Sequence, residues 1–213
     1  MTAEARVVGV VLAGGDSRRM GTPKALVEID GRPLASRVAD VVRAAGAEPV
    51  VLVGGEPTWG DPIGCEVVAD DRPGEGPLAA TATAVTWAAR QGADLVVVAA
   101  CDQVGLDPAT IESLLATLRS ASPSDAVGAL AVTADGVVQP FPSVWRVSAG
   151  PAIDALVAAG ERRASRLASL GVVTVSVSSD RLADVDTPEE LARWRASTGR
   201  PGPASVECPP TCA

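Results

Sequence analysis

Val7-Val8-Gly9-Val10-Val11-Leu12-Ala13-Gly14-Gly15-Asp16-Ser17-Arg18-Arg19-Met20-Gly21-Thr22-Pro23-Lys24 carries the strongest architectural signal in the chain. Its first six residues are a β-branched run closed by glycine, the pattern of a strand buried on both faces. Residues 13–24 then place a flexible backbone, two arginines and a lysine just past that strand's carboxyl end, where open α/β sheets bind their ligands. Glycines let backbone amides approach a phosphate closely, and the cations neutralise it. The spacing is neither of the common nucleotide fingerprints, since no G-x-G-x-x-G occurs and Lys24 does not directly follow a glycine as in a P-loop. An ordinary strand-to-helix turn with solvated charges is the alternative. Eighteen residues are basic and Lys24 is the only lysine among them, so its presence in this loop calls for a reason.

Strands and helices alternate outward from this loop. Leu34 to Ala45 has helical spacing, with Pro33 suited to its first turn and Gly46 to its end. Pro49 to Val53 and Glu66 to Ala69 read as strands, and a helix runs from Pro77 to Arg90, where Gly92 stops it. Leu95 to Ala100 is the most apolar strand, and Asp107-Pro108 behind it is an N-cap followed by proline at the first helical position. The second half is less regular. Strands are expected at 126–132 and 137–147, helices at 150–159 and 162–170, and a strand at 172–177. Thr187-Pro188-Glu189-Glu190 is a capping box opening a last helix to Arg195. The pattern specifies a three-layer α/β/α sandwich around a mainly parallel, Rossmann-like sheet. One domain covers 1–197, and the Gly- and Pro-bearing tail 198–213 is expected to be disordered.

Composition narrows the chemistry. The chain has 213 residues and a net charge of −8, which repels polyanions, and with one Phe, four Trp and no Tyr it has few platforms for stacking bases. Nucleic acid is therefore not an expected partner. No apolar run reaches the ~20 residues of a membrane span, and Met1–Arg6 lacks the layout of a signal peptide. Four unevenly spaced cysteines, at 65, 101, 208 and 212, read as thiols in a reducing cytoplasm. Cys208 and Cys212 supply too few ligands for a closed zinc site. Histidine is absent, so neither Ser-His-Asp nor Cys-His catalysis is available, and carboxylates, amides, Arg and Lys must carry any reaction.

The motif L-A-G-G-x-S-x-R-M-G-x-x-K over Leu12–Lys24 resembles the signature of the molybdenum cofactor guanylyltransferase family of nucleotidyltransferases. The likeness implies the nucleotide-diphospho-sugar transferase type of fold. It also implies that Leu12, Ala13, Gly14 and Gly15 face the nucleoside and that Arg19 and Lys24 contact phosphates, Lys24 stabilising the pyrophosphate that leaves. Ala13-Gly14-Gly15 leans toward guanine in the wider superfamily, hence GTP.

Three acidic positions extend the resemblance. Asp70-Asp71-Arg72-Pro73-Gly74-Glu75-Gly76-Pro77-Leu78 is similar to the family's D-x-x-P-G-x-G-P-L, which puts Asp70 and Gly76 at the nucleoside; Asp71 could replace Asp70, and an acidic turn is the plain reading of both. Asp102 ends a buried strand, where a carboxylate caps, pairs or binds a cation. The resemblance assigns it to Mg²⁺, although Val104 stands where the family has proline. Asp184-Val185-Asp186-Thr187-Pro188-Glu189 resembles the closing D-x-D-T-P-E motif, with Asp186 near the metal or acceptor and Asp184 ordering the loop. Gln139 to Arg146 is similar to a strand on the acceptor side, with buried packing the plain reading of Trp145. The implied reaction moves GMP from GTP to the phosphate of molybdopterin, and the product would pass to cofactor-accepting apoenzymes or their chaperones. A cytidylyltransferase using CTP and a non-catalytic nucleotide-binding protein of the same fold are the alternatives.

Overall fold

β1 (Val7–Leu12) is buried along its whole length, as its β-branched run requires of a strand covered on both sides. The computed structural model describes residues 5–14 and 22–197. Gly15, Arg19 and the tail from residue 198, with Cys208 and Cys212, lie outside the described residues. The chain continues through a 3-10 turn at Lys24–Leu26 and a small hairpin, β2 (Glu28–Ile29) with β3 (Arg32–Pro33). Next come α1 (Leu34–Ala44), β4 (Val50–Val53), the single turn α2 (Gly60–Ile63), β5 (Glu66–Val68) and α3 (Pro77–Arg90). β6 (Leu95–Ala100) leads to α4 (Pro108–Ser120), after which the chain forms β7 (Gly128–Val132), β8 (Val138–Arg146) and α5 (Gly150–Ala158). β9 (Val172–Ser176) and α6 (Pro188–Ser197) complete the order.

Seven strands form one sheet in the order β5-β4-β1-β6-β8-β7-β9. β8 alone runs antiparallel to its neighbours β6 and β7. The other pairings are parallel, so the sheet is mainly parallel, as the strand-helix alternation implies. Alternation along β1 divides the core. Val7 and Val11 face α1 and α4, where Val38, Val42, Ile111 and Leu114 are buried. Val8, Val10 and Leu12 face the other way, toward Leu78 and Val85 of α3 and Ile153 of α5. The result is the expected α/β/α sandwich. Among the described residues no helix is long and apolar enough to cross a membrane.

The second half departs from its sequence pattern in one element. The helix expected at 162–170 is a 3-10 segment, Ala164–Ser169, whose i to i+3 geometry suits a short connector that buries only Ala164 and Leu167. Trp145 is fully buried and donates its indole N–H to Ser143 Oγ at 3.0 Å, a packing role. Arg146 donates to the carbonyls of Leu118, Ala121 and Ala126, closing the end of α4.

At the other end of α4 the expected cap is present. Asp107 accepts from Thr110 N at 2.9 Å and from its hydroxyl at 2.7 Å, and it pairs with Arg181. Partial burial opposes the charged form of Asp107, but the bonds from Thr110 and the Arg181 charge outweigh it and hold the carboxyl below its ordinary value of 3.8. A depressed carboxylate stabilises the fold above its unfolded pKa, and that contribution is lost as pH falls through the folded value. Asp107→Ala is therefore expected to lower stability by about 1 kcal/mol at pH 7. In urea titrations the gap from wild type should close below about pH 4, and a gap that widens there would contradict this origin.

Candidate active site

The site lies where the parallel strands end. Leu12 and Ala13 both bury their side chains, Leu12 on the α3 side and Ala13 on the α1 side, so only their backbone can face a ligand. That backbone is fixed from both sides of β1. Ala13 N donates to Val53 O at 2.9 Å, and Leu12 O accepts from Cys101 N at 3.1 Å. Gly14 lies against Gly54, a contact that sequence reasoning missed. Gly54 has φ +83°, and a Cβ added there would stand 2.9 Å from Gly14 N and Cα, so the loops after β1 and β4 meet backbone to backbone. The Gly54-Gly55 pair directly after a strand was the available signal.

Lys24, Asp102 and Asp186 converge from three distant parts of the chain. Lys24 opens the 3-10 turn, Asp102 follows β6, and Asp186 precedes α6. The Lys24 ammonium donates to Asp102 Oδ2 at 2.9 Å and also to Asp186 Oδ1. Burial lowers the lysine's affinity for its proton, but the hydrogen bonds and charges of Asp186 and Asp102 outweigh this and leave its pKa above the ordinary 10.5. Burial, then the charges of Asp102 and Asp186, push the nearby Asp184 carboxyl above its ordinary value, with Lys24 opposing them. The Cys101 thiol, wholly buried beside Asp102, is pushed up to about 12 and is not a nucleophile at neutral pH.

Backbone pairing joins the two acidic loops. Asp102 O accepts from Val185 N at 3.1 Å, and Gly105 N donates to Ala183 O at 3.1 Å. The capping box then sets Asp186: Glu190 Oε2 accepts from Asp186 N at 2.7 Å and Thr187 N at 3.0 Å, while Glu190 N donates to Thr187 Oγ1 at 3.2 Å. Val104, the departure from the family pattern, has a use. Its N–H donates to Asp102 O at 2.9 Å, a bond proline could not make. Its side chain packs against the cluster of Ile29, Leu34, Val185 and Leu191 that docks α6.

Asp70 and Gly76 belong to the loop between β5 and α3. Asp70 Oδ1 accepts from Thr83 Oγ1 at 2.9 Å and from Arg72 N at 3.0 Å, so its carboxylate is held by the helix it faces. Asp71 is exposed, and its backbone N–H donates to Thr83 Oγ1 at 3.2 Å. Gly76 precedes the first turn of α3 and passes close to Arg162, whose carbonyl oxygen lies 2.9 Å from where a Cβ would be. Asp70 thus sits two strands from the end of β1 on one side, and Asp102 one strand away on the other.

The oxygen donors at this edge are few. Among the described residues no three His, Cys, Asp or Glu side chains converge. Asp102 and Asp186 do turn one oxygen each toward a single positive centre, the Lys24 nitrogen. Two hard carboxylate oxygens fit Mg²⁺, which fills its remaining positions with phosphate oxygens and water.

The mainly parallel sheet brings glycine backbone at the end of its first strand to the same edge as a carboxylate that follows β6 and pairs with a lysine, and the family match and named relatives make the class that of a nucleotidyltransferase. The chain belongs to the family of the MobA-like NTP transferase domain, which matches residues 9–177. It is 39% identical over 192 residues to the molybdenum cofactor guanylyltransferase of Rhodobacter capsulatus, covering 88% of this chain and 94% of that protein. To the probable molybdenum cofactor guanylyltransferase of Opitutus terrae it is 36% identical over 203 residues, covering 94% and 95%. The solved molybdopterin-guanine dinucleotide biosynthesis protein A of Archaeoglobus fulgidus shares the fold, with a TM-score of 0.70 at 21% identity over 90% of this chain and 98% of that one.

Proposed function

We propose that this chain is a cytoplasmic enzyme that transfers GMP from GTP to the phosphate of molybdopterin, giving the guanine dinucleotide cofactor and pyrophosphate. The observation that carries the reading is the meeting of Lys24 with Asp102 and Asp186 at the sheet edge where β1 releases its glycine backbone. Relatives named as guanylyltransferases along nearly their whole length support guanine over cytosine.

In this reaction an acceptor phosphate oxygen forms a bond to the α-phosphorus in line with the bond to pyrophosphate, which breaks. The acceptor is already ionised, so no general base is needed, and positioning with electrostatics carries the step. The backbone of Leu12, Ala13 and Gly14 is assigned to the nucleoside, as are Gly15, Asp70 and Gly76. Arg19 and Lys24 hold phosphates, and Lys24 stabilises the charge that grows on the departing pyrophosphate. Asp102 and Asp186 would hold Mg²⁺, which supplies charge withdrawal from the phosphorus under attack.

Calorimetry with GTP, CTP and ATP, each with Mg²⁺, tests the nucleotide. Selective GTP binding is expected, and CTP preference would move the assignment to the cytidylyltransferase. Pyrophosphate release on adding molybdopterin tests the reaction itself, and its absence in protein that binds GTP would overturn the proposal.

A further inference from the structure

Two carboxylates turned toward one point repel each other, and a cation standing between them offsets that repulsion. In this structure that cation is the Lys24 ammonium, in contact with Asp102 Oδ2 and Asp186 Oδ1 together. A divalent ion drawn to the same two oxygens would have to enter against that ammonium, because two cations cannot occupy one gap. We infer that Lys24 is a placeholder for the divalent cation, barring metal from the Asp102–Asp186 pair until a triphosphate draws the ammonium away. The inference rests on the metal reading of these two residues under the proposed function.

The construction of the site suits such an exchange. The backbones of Asp102 and Asp186 are tied down by loop pairing and by the capping box, so the two carboxylates extend from fixed positions. Lys24 carries its charge on a flexible four-carbon stem from a short 3-10 turn, so the cationic half can move. The side chains of Lys24 and Asp102 are each 20% exposed and that of Asp186 is 51% exposed, which leaves an open side for a ligand. A triphosphate offers the ammonium more negative charge than two carboxylates, and the oxygens it leaves are then free for metal. Linkage makes the effect reciprocal: if triphosphate promotes metal uptake, metal promotes triphosphate retention by the same factor. A lysine serves here better than the arginine this chain uses everywhere else, because a compact point charge pivots between partners and a planar guanidinium fork does not.

Mn²⁺ alone is the probe, its free concentration read by electron paramagnetic resonance in protein without nucleotide. Wild type is expected to take up Mn²⁺ weakly. Lys24→Met should bind it about tenfold more tightly, within the usual range of coupling between sites. Lys24→Arg should stay near wild type, since it keeps a cation on the pair. Lys24→Met with Asp186→Asn should lose the gain. Lys24→Gln serves as a second neutral variant if the Met substitution lowers the melting temperature. A folded neutral variant that binds Mn²⁺ no tighter than wild type overturns the placeholder, as does a gain that survives Asp186→Asn. A parallel titration of wild type with GTP separates the two readings. Mn²⁺ uptake there beyond that of GTP alone, without a gain in the neutral variants, sinks only the placeholder; no uptake in either arm sinks the metal reading with it.

Discussion

Lys24→Ala is expected to lower the rate of pyrophosphate release roughly 100- to 1,000-fold at saturating GTP, the cost of removing one preorganised donor from a developing negative charge. The effect should fall on turnover more than on KM, because charge on the leaving pyrophosphate grows in the transition state. The substitution also leaves Asp102 and Asp186 facing each other without the ammonium between them. Both carboxylates reach solvent, 20% and 51% exposed, so the stability penalty should be small beside the kinetic one. Lys24→Arg should recover part of the rate, since it restores the charge but not the compact geometry. Steady-state kinetics beside a melting curve decide the matter. Full turnover in Lys24→Ala would make the lysine a charge balancer of the resting protein and nothing more.

Much of this arrangement is legible in the chain, for reasons that differ by residue. β1, α3 and β6 occupy the residues their patterns indicate, because a β-branched run closed by glycine and an alanine-rich run between Pro77 and Gly92 have few other uses. Lys24 stands out through composition alone, as the single lysine among arginines. The capping box at Thr187 fixes the start of α6 and so the place of Asp186. What local pattern cannot carry is who meets whom. β8 inserts antiparallel between β6 and β7, and hydrophobic period is blind to strand order. β2 and β3, two residues each, are too short to show a period at all. The contact of Lys24 with Asp186 spans 162 residues, and its partner loops are joined by backbone bonds that any sequence could make. Gly54 and Gly105 look like ordinary turn residues until the loops beside them are seen to touch.

Gly105→Ala is expected to uncouple the two acidic loops, although Gly105 has no chemistry of its own. Its backbone requires no glycine on conformational grounds; what excludes a side chain is space. A Cβ there would lie 2.0 Å from Asp180 O and 3.2 Å from the Ala183 Cβ. Backbone atoms cannot rotate away, so the added methyl must push residues 180–183 off the Asp102 loop. The bonds from Gly105 N to Ala183 O and from Val185 N to Asp102 O, both 3.1 Å, are the ones at risk, and Asp186 moves with them relative to Lys24 and Asp102. Overpacking of this kind costs about 1–3 kcal/mol, which urea unfolding would register. A shift of ~1 Å in a positioned group costs on the order of 100-fold in rate, so turnover per folded molecule should fall by that amount. GTP affinity should fall far less, since Leu12 and Ala13 are anchored to Cys101 and Val53, away from the displaced segment. Lost stability with unchanged turnover would mean that Asp186 takes no part in the reaction. Equal losses in affinity and turnover would mean that the whole strand-end surface, and not the pairing of the two acidic loops, had been disturbed.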